Sequence, residues 1–315
     1  MLRHAARRGL LAAVQLALLA VLVFLLTSLL PGDAAEVRFN EQAGLDEVAH
    51  LREQLGLDRP PAERFLDWAG GLLSGDLGTS PVSGNPVREI VAGSLGSTLL
   101  LAGVTAALLV PLAMLLGLTA GLRAGGAADR AITSVTLALN SIPDFVLALA
   151  LIAVFSLRLG WLPSTWLGAD GGGLLTSPVL LVLPVAVLLA RTVCALSRQI
   201  RAGTIAALEA DYTVQARRLG VPRGRLVLRH VLPNAAVPGV QELARTGDQL
   251  LGGVLIVEAV FAIPGTATAL VEAVQSRDVP TVQALTLLLA ALALGFNVAA
   301  DLVGQRLSPR TEVLR

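Results

Sequence analysis

The chain is 315 residues long, 54% hydrophobic and 15% charged, with a mean hydropathy of +0.72 and a formal net charge of +1. A soluble domain carries about 25% charged residues, and the apolar residues here fall in runs far longer than a soluble core needs, so a soluble globular fold is excluded. All 24 lysine-plus-arginine positions are arginine. A P-loop holds the terminal phosphates of ATP with a lysine, so this chain cannot contain one in the usual form, and any ATP that drives it is bound by another subunit.

Residues 1–8 hold Arg3, Arg7 and Arg8, and an apolar run from Gly9 to Leu30 follows. That run exceeds the roughly 7–15 residues of a signal-peptide core, which predicts an uncleaved first transmembrane helix over 1–31. Residues 32–95 are polar with both charge signs and read as an extracytoplasmic segment with short helices near 45–55 and 62–74. A second apolar run covers 97–121. A third covers 133–158 and contains Pro143, a residue membrane helices tolerate when neighbours re-satisfy the backbone. Trp161 follows at an expected membrane interface. After a Gly-rich loop at 163–177, a fourth run spans 178–197 with Pro184 inside it. Residues 198–235 are strongly basic; a fifth span lies within 236–263 and a sixth within 281–303.

The one-signed arginine clusters fall in 1–8, 122–131, 198–235 and 304–315. Cytoplasmic loops are enriched in arginine, so both termini are placed in the cytoplasm. The expected fold class is an all-α membrane protein of about six transmembrane helices. Cys194, the single cysteine, sits in an apolar run and reads as a buried, inert thiol. His4, His50 and His230 lack metal-ligand spacing; no metal, no cofactor and no catalytic residue is expected, and nothing points to nucleic acid.

The most informative stretch runs from Glu209 through Asp211, Tyr212, Ala216, Arg217 and Gly220 to Leu232, Pro233 and Asn234. Its pattern predicts a helix, a stop at Gly220, a turn with Pro222, and a second helix. Glycine at a helix C-terminus permits the left-handed backbone that ends it, and proline fits the start of the next. A stiff helical hairpin between two spans is a lever on which another protein can push.

This stretch resembles the cytoplasmic signature loop of bacterial ABC importer permeases, E-A-A, three residues, G, nine residues, I-x-L-P. Ala216, Gly220, Leu232 and Pro233 match; Val214, Gln215 and His230 depart from it. Further segments are similar to the B-type permease of dipeptide, oligopeptide and nickel importers, in the same order. They include Leu30-Pro31-Gly32-Asp33, Leu55 to Pro60, Gly75 to Ser80, Ser141 to Phe145, Leu159 to Pro163, Glu258 to Gly265, Arg277 to Pro280 and Ser308-Pro309-Arg310.

The resemblance implies a type I importer permease with a core over 96–306, a coupling loop at 203–235 and a cytoplasmic tail at 307–315 in the bacterial inner membrane. It implies contact with cytosolic ATP-binding subunits through Glu209, Asp211, Tyr212, Ala216, Arg217, Gly220, Leu232 and Pro233. It also implies a heterodimer with a C-type permease, an extracytoplasmic solute-binding protein and surrounding membrane lipid.

Glu242, Arg245 and Asp248 are spaced three apart, so they share a helix face. They read either as self-neutralising ion pairs at the membrane edge or as a face of the translocation path for a charged or zwitterionic solute, with Arg191 joining it. Glu258 is open to the same choice between structure and solute contact. Gly252-Gly253 reads as close helix packing. Peptide, nickel and a metal–chelator complex remain open as the solute. An ion-coupled secondary transporter is the alternative class, although no inverted repeat of that class is visible.

Overall fold

The computed structural model describes residues 2–29, 59–166 and 177–307. Among them the only strand-like pairing is one isolated bridge, Thr79 with Pro86. The expected helix near 45–55, the motifs at 30–33 and 308–310, and most of the Gly-rich loop lie outside the described residues.

The helices are α1 Leu2–Ser28, α2 Pro61–Ser74, α3 Val87–Leu122, α4 Ala127–Ser141, α5 Asp144–Leu151, α6 Val179–Glu209, α7 Asp211–Arg218, α8 Arg223–Leu226, α9 Leu232–Phe261, α10 Thr266–Gln275 and α11 Val279–Leu307. Four stretches are long and apolar enough to cross a membrane: Ala6–Ser28, Val87–Leu122, Val179–Glu209 and Val279–Ala299. Two bent helix pairs, Ala127–Ser141 with Asp144–Arg158 and Gly252–Phe261 with Thr266–Gln275, raise the number to six if each pair is one crossing. The all-helical, multi-span class is therefore observed.

Four differences from the expected spans stand out. The third apolar run is not one straight helix. Proline lacks an N–H, and its ring disfavours helical geometry in the residue before it. Ile142 accordingly turns extended (φ −86°, ψ 127°), and the helices on either side meet at 103°. The second helix begins at Val87, ten residues before its apolar run, with Arg88 and Glu89 in its first turn. The fourth extends to Glu209, and its 31 residues reach about 46 Å at 1.5 Å per residue. That exceeds the ~30 Å hydrocarbon core, so its arginine-bearing end leaves the apolar layer. The part of α9 apolar enough for a fifth crossing begins at Gly252, after Glu242, Arg245 and Asp248.

The chain divides into two compact units, Met1–Thr98 with Pro264–Leu294 and Leu99–Ile263 with Gly295–Arg315. In the first, Phe24 of α1 packs against Phe65 and Trp68 of α2, ring centroids 5.2 and 5.6 Å away. The amide of Gln283 on α11 donates to Thr27 Oγ1 at 2.8 Å. Two motif segments 198 residues apart meet here: Ser80 Oγ donates to Asp278 Oδ2 at 2.6 Å, and Thr281 Oγ1 donates to the same carboxylate at 2.7 Å. Thr98 Oγ1 likewise accepts the Thr266 amide at 2.8 Å.

The second unit is built around α6. Leu181, Val185, Leu188, Val193, Leu196 and Ile200 form one apolar cluster with Leu101 and Leu109 of α3 and Val254 and Val257 of α9. Close approach is possible because glycine meets backbone. A Cβ at Gly121 would lie 2.5 Å from Thr204 Cβ, and one at Gly203 would lie 2.9 Å from Ala235 O. Small residues at such crossings let membrane helices pack backbone to backbone. Cys194 is buried at 2% exposure, as read from its apolar run.

Candidate functional site: the coupling segment and the charged face of α6

At its C-terminal end, α6 stops at Glu209 because Ala210 turns extended (φ −64°, ψ 141°), and α7 starts at Asp211. The expected helix from about 209 to 220 is thus broken after its first residue. It ends as the glycine predicted. Gly220 has φ +80°, its N–H donates to Arg217 O, and the Val221 N–H donates to Ala216 O. This paired arrangement is a Schellman cap. Pro222 then caps α8, which runs through a π-helical turn, Val227–Val231, straight into α9.

The segment has two faces. Thr213 and Ala216, three residues apart, are buried. Glu209, Asp211, Tyr212, Arg217, Arg218 and Gly220 are exposed, and Leu219 is 77% exposed. Ala216, assigned by resemblance to partner contact, instead faces the body of the chain. Leu232 is half-buried and Pro233 exposed at the start of α9, where a missing N–H is tolerated. Thr213 Oγ1 is buried without a hydrogen-bond partner.

Arg191 Nη1 donates to Asp144 Oδ2 at 2.6 Å. Asp144 is the first residue of α5, and its side chain is 3% exposed. A carboxylate at that position faces the unpaired N–H groups of a helix start. Arg201 grips Asp129 of α4 by both oxygens, Nε to Oδ1 at 2.6 Å and Nη2 to Oδ2 at 2.8 Å, and the Gly125 N–H adds 2.8 Å. Glu242 lines a cavity of about 490 Å³ with Arg198, Gln199, Arg201 and Thr133. The side chains of Arg245 and Asp248 lie outside the described residues. Glu258 is fully buried in α9.

Asp129, Asp144, Arg198 and Arg201 were not singled out as site residues by the sequence reading. The available signal was the rarity of ionisable residues within membrane segments; their partners, 72 and 47 residues away, leave no local pattern. Among the described residues no group of three His, Cys, Asp or Glu side chains could hold a metal ion.

A multi-span helical body with a capped helical segment between α6 and α9 is the arrangement of a multi-pass membrane protein. A family model described as "Binding-protein-dependent transport system inner membrane component" matches residues 113–313, and the N-terminal model of the same system matches residues 1–100. The chain is 31% identical over 295 residues to a "probable peptide ABC transporter permease protein" of Sinorhizobium fredii, covering 94% of each chain. It is 35% identical over 291 residues to a glutathione transport system permease protein of Pectobacterium atrosepticum, covering 92% of each. A solved amino acid ABC transporter with histidines is 18% identical, with a TM-score of 0.48, over 70% of this chain and 94% of that one. The chain belongs to the family of binding-protein-dependent transport system inner membrane components, the permeases of ABC importers. Such a component is not itself the catalyst; the family works with ATP-binding and substrate-binding partners.

Proposed function

We propose that this chain is the permease subunit of an ATP-driven importer for peptides or related small polar solutes. The family assignment and the relatives named for peptide and glutathione transport support that solute class. Both termini lie in the cytoplasm and the membrane is the bacterial inner membrane, a reading supported by the arginine distribution. ATP is hydrolysed by separate cytosolic subunits, a C-type permease completes the pathway, and an external binding protein delivers solute to the side bearing residues 32–95.

The single observation that carries the mechanism is the coupling segment. Its outer face offers Tyr212, Arg217, Arg218 and Leu219 to a partner, while its inner face is buried. Its two ends run into α6 and α9, which meet backbone to backbone at Gly203 and Ala235. A push on α7 therefore moves both helices together. A partner shifts such an equilibrium only by binding the two states differently, and a surface that moves as a unit provides that difference. On the path itself, Arg191, Glu242, Arg245, Asp248 and Glu258 remain the proposed polar contacts, Arg191 acting as a pair with Asp144.

The test is ATP-dependent uptake of a labelled dipeptide by the full importer in proteoliposomes, comparing wild type with Gly220→Pro. Proline cannot adopt a φ of +80°, so the variant assembles poorly or hydrolyses ATP without uptake. Full uptake by Gly220→Pro overturns the coupling role, and a wild-type importer that moves nickel but no peptide overturns the solute class.

A further inference from the structure

Arg191 is a charge set into the apolar part of α6. Residues 179–190 before it carry no charge, and the next charged side chain after it is Arg198. At 1.5 Å per residue, Arg191 lies about 18 Å from the start of α6 and about 10 Å from Arg198. That depth is inside the ~30 Å hydrocarbon layer, yet the side chain is 45% exposed. A guanidinium bare to acyl chains costs about 3 kcal/mol or more at such a depth, so ionisable residues there face a bundle interior or a water-filled cavity.

The pair that Arg191 makes with Asp144 has a direction. The carboxylate is the enclosed end. Asp144 opens α5 and is buried, and α9 closes over it. A Cβ at Gly253 would lie 3.7 Å from Asp144 Oδ2 and 2.9 Å from Leu188 Cδ2. The guanidinium is the open end. Nη1 donates to Asp144 Oδ2 at 2.6 Å, and the Nε–Nη2 edge makes no hydrogen bond among the described residues. That edge carries two parallel donors, which fit a carboxylate through two bonds. The bond to Asp144 already orders the side chain, so a ligand need not immobilise a long flexible arginine.

The geometry selects the sign and the source of the ligand. A cation finds no partner here, because the only anion of the pair is enclosed. A lipid phosphate stays at headgroup level, outside the hydrocarbon layer. A carboxylate on a solute passing through the permease reaches this depth. The buried Asp144 offsets part of the arginine charge, which keeps the grip weak enough for release.

We propose that Arg191 is the contact for a carboxylate of the transported solute, held through Nε and Nη2 while Asp144 fixes the guanidinium toward the path. This rests on the importer reading and narrows it: the solute carries at least one carboxylate, as a peptide does at its C-terminus.

The test uses the assembled importer in nanodiscs without its binding protein, so that the membrane subunits alone select. Saturation-transfer NMR titrates Ala-Ala, Ala-Ala-amide and Glu-Ala-amide, and uptake of labelled Ala-Ala by the complete importer is measured beside it. Loss of a charge-assisted bond corresponds to roughly tenfold, so Ala-Ala-amide binds about tenfold more weakly than Ala-Ala. Arg191→Gln with Asp144→Asn removes both charges and strands neither, and this double variant binds acid and amide alike. Glu-Ala-amide separates two sources of carboxylate: binding at the level of Ala-Ala means that the fork takes any carboxylate, and binding at the level of the amide means that it takes the terminal one. Equal binding of acid and amide by the wild type overturns the proposal without recourse to any variant, and is the outcome if a partner permease covers Arg191. A preference that survives in the double variant overturns it as well. So does binding of none of the three by an importer that takes up Ala-Ala. An importer that takes up no Ala-Ala but still prefers acid to amide refutes the peptide reading and leaves the role of Arg191 standing, so the two failures are told apart.

Discussion

Replacing Gly203 with alanine tests whether α6 and α9 move as one body. The added Cβ would sit 2.9 Å from the carbonyl oxygen and 3.1 Å from the Cα of Ala235. Both are backbone atoms, so neither can rotate away, and the helices must separate by a few tenths of an ångström. Overpacking of this kind costs about 1–3 kcal/mol. Against it, alanine exceeds glycine in helix propensity by about 1 kcal/mol. The contact wins, and the net destabilisation is about 1 kcal/mol. Gly103→Ala is the internal control, since nothing lies within 4 Å of its added Cβ; there only the propensity gain of about 1 kcal/mol remains. The two variants therefore differ by about 2 kcal/mol in opposite directions. The assay is built into the chain, because Cys194 is its single cysteine and is 2% exposed on α6. A thiol-reactive dye reports opening of that helix as temperature rises. Gly203→Ala melting at or above wild type refutes the close backbone crossing.

Three further outcomes follow from particular contacts. Arg191→Ala strands the Asp144 carboxylate, whose side chain is 3% exposed; with Arg191 itself 45% exposed, the cost is about 1–3 kcal/mol. The dye melt falls accordingly, and Arg191→Ala with Asp144→Ala recovers most of it. Asp278→Ala removes the acceptor for Ser80 Oγ and Thr281 Oγ1, so hydrogen exchange of peptides covering 78–87 accelerates by roughly tenfold or more for each 1.4 kcal/mol lost. Thr213→Val removes the unpartnered hydroxyl; relief of its desolvation, about 1 kcal/mol, raises the dye-detected melt of the purified chain.

Span positions and the coupling turn were legible because both have local signatures. Twenty apolar residues mark a crossing wherever they occur, and glycine followed two residues later by proline dictates the turn that Gly220 and Pro222 make. The break at Ile142 was not legible, since a proline inside an apolar run reads the same whether the span tolerates it or divides there. Neither was the break at Ala210, an alanine with good helix propensity. The charged site was half-legible. The triplet at 242, 245 and 248 stands out by spacing, and Arg191 by its apolar surroundings. The pairing of Arg191 with Asp144 depends on the 103° turn that delivers Asp144 to α6. Motif segments such as Gly75 to Ser80 and Arg277 to Pro280 were recognisable by resemblance, and their reason emerges from one carboxylate that joins them.

The central claim is that a partner ATPase drives this permease through the outer face of α7. The most direct measurement is site-specific cross-linking in the assembled importer. A Leu219→Cys variant in a Cys194→Ser background is reacted with single cysteines placed across the groove of the ATP-binding subunit, with and without nucleotide. The account predicts a cross-link at Leu219, none from the buried Ala216→Cys, and a change in its efficiency when ATP binds. Equal cross-linking at both positions, or none at Leu219 in a complex that still hydrolyses ATP and imports solute, contradicts it.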